Sequence, residues 1–258
     1  MIMHGRDPKF SSIGFTLRKE EDILPLANTI DDQSETETFD VELGKYLHWS
    51  GECGAEIWVH TNNSGGLWQL KPHFNGKSRI QVEIDSRLTT AQDSPLEGAL
   101  GCQIKSTDGV SAGISLLAFD SPDFQLHSGL AMPTTATIQI AAFPDDIVSV
   151  FESQDQFDNY IASNPRFCSP FFPLGLVSQM PLYEGDKFPF NVVSLSGRIL
   201  DSEIQKNTLT GETFRWALVD SMGSLFDIVV APELMEKEPQ IGDVLYGNFY
   251  LSGKVTSD

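Results

Sequence analysis

The feature that most constrains this chain is alternation. From Tyr46 onward, apolar and polar side chains change places every second residue in short runs divided by glycine, asparagine, aspartate and proline. That pattern belongs to half-buried strands joined by tight turns. Residues 55–61 and 67–74 flank Asn62-Asn63-Ser64-Gly65-Gly66, and Asn75-Gly76 leads into 79–88, where Ile80, Val82 and Ile84 face away from Gln81, Glu83 and Asp85. Thr107-Asp108-Gly109 joins 96–106 to 110–119 as a further hairpin, and 135–143 and 147–151 complete the series. The spacing predicts an all-β protein with minor α content, whose first part is an antiparallel β-sandwich or barrel.

Residues 190–258 form a more specific sequence of elements. A long run bends at Gly197, residues 213–219 and 224–230 make a hairpin across Asp220-Ser221-Met222-Gly223, a short helical piece opens at Pro232, and 244–251 returns as a strand. Strand, hairpin, short helix and strand are the order of a small OB-like β-barrel. Such barrels can stack bases on aromatic residues of their second and third strands, here Trp216 and Phe226 beside Arg215. The competing reading is that Phe214, Trp216 and Phe226 fill the interior, since large rings chiefly supply burial.

Four segments follow. Residues 1–45 read as an N-terminal arm and an acidic loop, 46–165 as the β-rich domain with one helix, 166–189 as a Pro/Phe-rich packed linker, and 190–258 as the OB-like barrel. The helix is capped by Ser153, shares Phe157, Tyr160 and Ile161 on one face, and stops at Asn164-Pro165. A short strand is expected at 13–17. No internal repeat is evident.

Charge limits the partners. The chain carries 36 Asp or Glu against 17 Lys or Arg, a formal net charge of −19. The acidity is spread along the whole length. Such a surface repels nucleic acid and anionic membranes and favours a basic protein partner. Cys53, Cys102 and Cys168 are few and far apart, which fits reduced thiols rather than a disulfide framework. With no signal-like or membrane-spanning apolar run, the expectation is a cytoplasmic protein.

One cluster carries chemical potential. His48, Cys53 and His60 are weak candidates for a zinc site, though their spacing fits no known zinc pattern, and no cofactor is expected. In a strand, Glu56, Trp58 and His60 share a face, offering either a carboxylate–imidazole pocket on an aromatic floor or a plain cross-strand ladder. Nucleophile elbows, dinucleotide fingerprints and paired-histidine zinc helices are absent from the sequence.

The stretches Gly54-Ala55-Glu56-Ile57-Trp58, Pro72-His73-Phe74-Asn75-Gly76, Ser94-Pro95-Leu96-Glu97-Gly98-Ala99, Asn207-Thr208-Leu209-Thr210-Gly211 and Gly247-Asn248-Phe249-Tyr250-Leu251-Ser252-Gly253 resemble a family of uncharacterised bacterial proteins. The resemblance implies a bacterial source and one evolutionary unit spanning both β regions. It assigns no reaction. The leading expectation is therefore a non-enzymatic protein-binding module with an acidic surface. The alternatives are an oligonucleotide-binding protein using Arg215, Trp216 and Phe226, and a metal- or thiol-dependent enzyme centred on His48, Cys53, Glu56 and His60.

Overall fold

The computed structural model describes residues 7–90, 93–105, 116–163, 170–181, 183 and 185–256. Cys168, the Thr107-Asp108-Gly109 turn and the Asn164-Pro165 helix stop lie outside these residues. The protein is all-β, with a four-stranded antiparallel sheet and a ten-stranded mixed sheet.

Residues 7–41 are more ordered than their acidity suggests. α1 (Pro8–Ser11) is capped by the Asp7 side chain and buries Phe10. The stretch expected as a strand at 13–17 is irregular, yet Ile13, Phe15 and Leu17 are all buried. Within the expected acidic loop lie α2 (Ile23–Asp31) and β1 (Glu37–Val41). Ile23, Leu26, Ala27 and Ile30 form a stripe at i, i+3, i+4 and i+7, and all four belong to an apolar cluster. Tertiary packing of that stripe, rather than local composition, makes the helix.

β2 (Gly44–Ser50), β3 (Ala55–Asn62) and β4 (Leu67–Phe74) complete the first sheet in the order β1-β2-β3-β4. Period two gives it two unlike faces. Ile57, Val59, Leu70 and Phe74 join α2, Phe214, Trp216 and Val229 in one cluster. The opposite face carries Tyr46, His48, Glu56, Trp58, His60, Lys71 and His73.

The second sheet contains β5 (Ile80–Leu88), β6 (Ala99–Ile104), β7 (Leu116–Asp120), β8 (Thr134–Pro144), β9 (Ser149–Phe151), β10 (Phe171–Phe172), β11 (Val192–Lys206), β12 (Thr213–Ser221), β13 (Ser224–Val230) and β14 (Val244–Thr256). Helices α3 (Gln154–Ser163) and α4 (Leu174–Ser178) lie between β9 and β11. Gln156 N donates to Ser153 Oγ at the start of α3, the cap expected there. The segment read as a linker contributes β10, which pairs with β11.

The C-terminal strands do not close on themselves. β11 pairs with β12 and β14, and β12 with β13, but the circuit is completed by β8, which lies parallel to β13 and antiparallel to β14. A second circuit runs β8-β5-β6-β7-β14, with β7 parallel to β14 at Asp120–Ser252. The antiparallel ribbon β8–β14 is common to both. A strand from 46–165 and a strand from 190–258 therefore share one wall.

The two series match element by element. Each has a bulged first strand, at Ile84/Ser86 and at Ile199/Asp201, then two antiparallel strands, a short 3-10 turn and a long strand. Asp120 bridges to Ser252, Asp227 pairs with Ala141, and Ala141 pairs with Ser252, so an approximate two-fold relation passes through that last pair. The sequence echoes it faintly, as Ala118-Phe119-Asp120 with Pro122 and Leu225-Phe226-Asp227 with Pro232.

One face of the ribbon, with Ile138, Ile140, Phe249 and Leu251, joins a core that runs through both circuits and includes Phe119, Val219 and Phe226. Its other face, with Gln139, Ala141, Phe143, Ser252 and Lys254, meets the four-stranded sheet. β4 lies nearest to it, through His73 and Ser252.

Candidate functional site

The ribbon's outer face and the polar face of the four-stranded sheet enclose a buried network of ionisable groups. Period-two geometry aims Glu56, Trp58 and His60 the same way from β3, and register places His48 and Lys71 opposite Trp58 and His73 opposite Glu56. From β14, Lys254 Nζ reaches both Glu56 carboxylate oxygens at 2.9 Å. His48 Nε2 lies 3.2 Å from Glu56 Oε2, and the His48 ring stacks on Trp58 with centroids 4.1 Å apart.

Burial opposes ionisation of Glu56, which is 1% exposed, but the His48 contact and the Lys254 ammonium overcome it and bring the carboxyl pKa down to about 2. Glu56 is thus held as a carboxylate within a satisfied ion pair.

His73 sits at the end of a relay. Gln139 Nε2 donates to Asp227 Oδ2 at 2.9 Å, leaving Gln139 Oε1 to accept from His73 Nε2 at 2.8 Å. His73 Nδ1 then accepts from Ser252 Oγ at 2.9 Å. Asp227 also receives Lys77 N, Ser78 N and Trp216 Nε1. Burial lowers the pKa of His73 to about 4. His60 is likewise depressed to about 4, by burial and then by the Lys71 charge, while its Nε2 lies 2.8 Å from Pro122 O. Lys71 keeps its proton because Asp120 and Glu97 outweigh its own burial.

The other residues proposed from sequence lie elsewhere. Cys53 packs against the apolar cluster around Phe10 and Trp49, not beside His48 and His60, and no group of three or more potential metal ligands occurs among the described residues. Trp216 is buried beneath the four-stranded sheet with its Nε1 on Asp227 and Lys77 above its ring. Phe226 points into the core and stacks on Phe171. Arg215 is engaged by Glu238. Trp216 and Phe226 therefore sit on opposite sides of the barrel wall and present no common stacking platform.

Sequence reasoning placed none of Lys254, Ser252, Gln139, Asp227 and Lys71 in this network. It also passed over a cavity of about 1110 Å³, which is bounded by β4, β14, the residues just after β8 and the N-terminal segment. No helix among the described residues is long and apolar enough to cross a membrane.

No family model, no curated protein and no solved structure matches the chain. The resemblance to a bacterial family rests on the short stretches quoted above.

Proposed function

We propose that this is a non-enzymatic, cytoplasmic protein-binding module whose acidic exterior recognises a basic partner, built on two fused OB-like barrels that exchange their last strands. Each circuit has the connectivity of an OB barrel, with a meander, a short helical turn, a fourth strand and a fifth strand parallel to the third. In each, the fifth strand is the fourth of its neighbour.

One observation carries the choice of partner. The outer face of β12, where such a barrel would offer rings to bases, holds Phe214 and Trp216 beneath the chain's own four-stranded sheet. Of the cations available near it, Lys254 is committed to Glu56, Arg215 to Glu238 and Lys77 to Asp201. What remains for recognition is the exterior of a chain whose formal net charge is −19, suited to Lys- and Arg-rich protein. The histidines, Lys71 and Glu56 act as a structural polar core, since each charged member is paired or held neutral.

Calorimetric titration with a lysine- and arginine-rich polypeptide and with single-stranded DNA and RNA tests this reading. Saturable binding of the polypeptide, weakening with salt, and none of the oligonucleotides is expected. Oligonucleotide binding at tens of micromolar or tighter would contradict it.

A further inference from the structure

We infer that the cavity beside β4 is a docking groove for an extended basic peptide, which adds to the open edge of β4 as a fifth strand. The inference rests on the basic-partner reading above and locates where that partner binds.

The backbone of β4 sets the register. Among the described strands β4 pairs with β3 alone. Gly51 N donates to Ala55 O, so the peptide groups of Ala55 point toward β2, and those of Glu56 and Trp58 point toward β4. Their partners His73 and Lys71 therefore spend their backbone groups on β3. By alternation, Leu70 N–H, Leu70 C=O and Pro72 C=O are aimed away from β3. Proline fits an edge strand only where its missing donor lies on the open side, and Pro72 satisfies that condition. Leu70 and Pro72 both line the cavity.

The cavity's size and lining choose the occupant. At about 1110 Å³ it lies just above the range of ligand-sized clefts, roughly 300–1,000 Å³, and suits a peptide segment better than a small metabolite. Phe10 and Phe143 give it a buried apolar floor, while Asp145 and Asp146 are exposed on its margin. Eight Asp or Glu line it against four Lys or Arg, and one of those four, Lys71, is already held between Glu97 and Asp120. An extended strand turns alternate side chains to opposite sides, so a peptide alternating lysine with an aliphatic residue meets both the floor and the margin.

The test uses the full chain and a fluorescein-labelled decapeptide alternating lysine and valine. Anisotropy is expected to show one-to-one saturable binding that weakens with added salt, and bound peptide is expected to slow amide hydrogen exchange in residues 67–74. Asp145→Asn/Asp146→Asn should weaken binding about threefold or more, while Asp40→Asn, on the distant β1, should not. Binding without protection of 67–74, or unaffected by the Asp145/Asp146 pair, overturns the groove and leaves the basic-partner reading standing. Absence of any binding by this peptide and by the longer basic polypeptide overturns both.

Discussion

Two buried histidines tie the stability of this protein to pH. His60 and His73 have folded pKa values of about 4 against an ordinary 6.5, so the unfolded chain takes up their protons first as pH falls. Their contribution is complete above about pH 6.5 and is lost as pH falls to about 4, on the order of 3 kcal/mol for each fully buried ring. Glu56, depressed from 4.5 to about 2, adds a second loss over that lower range. Urea midpoints measured from about pH 8 to about pH 3 should fall steeply through the histidine window, and His73→Gln should flatten the slope. A midpoint unchanged between pH 6.5 and 4 would show that the rings are hydrated. Much of this face was legible in the sequence, because alternation alone puts Glu56, Trp58 and His60 together. Its partners were not, since Lys254, Ser252 and Gln139 arrive from strands far away in the chain and lack any local signature.

The ribbon β8–β14 is the element on which both circuits depend, and Gly253 within it leaves no room for a side chain. A Cβ there would lie 2.5 Å from Phe119 Cδ2 and 2.6 Å from Ile140 Cδ1, both in the packed core. Gly253→Val should lower stability by about 1–3 kcal/mol or more, read as a lower denaturation midpoint, whereas Gly129→Ala, with nothing within 4 Å, should change little. Equal midpoints for the two variants would mean that β7 does not approach β14 as described. Strand existence and the bend of β11 followed from periodicity and Gly197. α2 escaped notice because five acidic residues around it, Glu20, Glu21, Asp22, Asp31 and Asp32, hide the Ile23-Leu26-Ala27-Ile30 stripe. The repeat escaped for a different reason: the offset drifts from strand to strand, as Ile84 with Ile199, Phe119 with Phe226 and Ala141 with Ser252 show, and few side chains are shared.

At the level of the whole molecule, the sequence suggests two β units in series, whereas strand pairing joins them through a common wall and one continuous core. Which strand closes a circuit is a long-range property that alternation cannot encode. The consequence is thermodynamic: neither circuit retains a closed barrel if the other opens, so the two should unfold together. The four-stranded sheet holds Trp49, Trp58 and Trp68 and covers Trp216, so tryptophan emission reports on the packing between the sheets. Native-state hydrogen exchange resolved along the chain tests this most directly. The expected result is that amides of β5, β8, β11 and β14 share one opening free energy, equal to that of global unfolding followed by tryptophan fluorescence. Exchange of β11–β13 through an opening that leaves β5–β8 protected would contradict it.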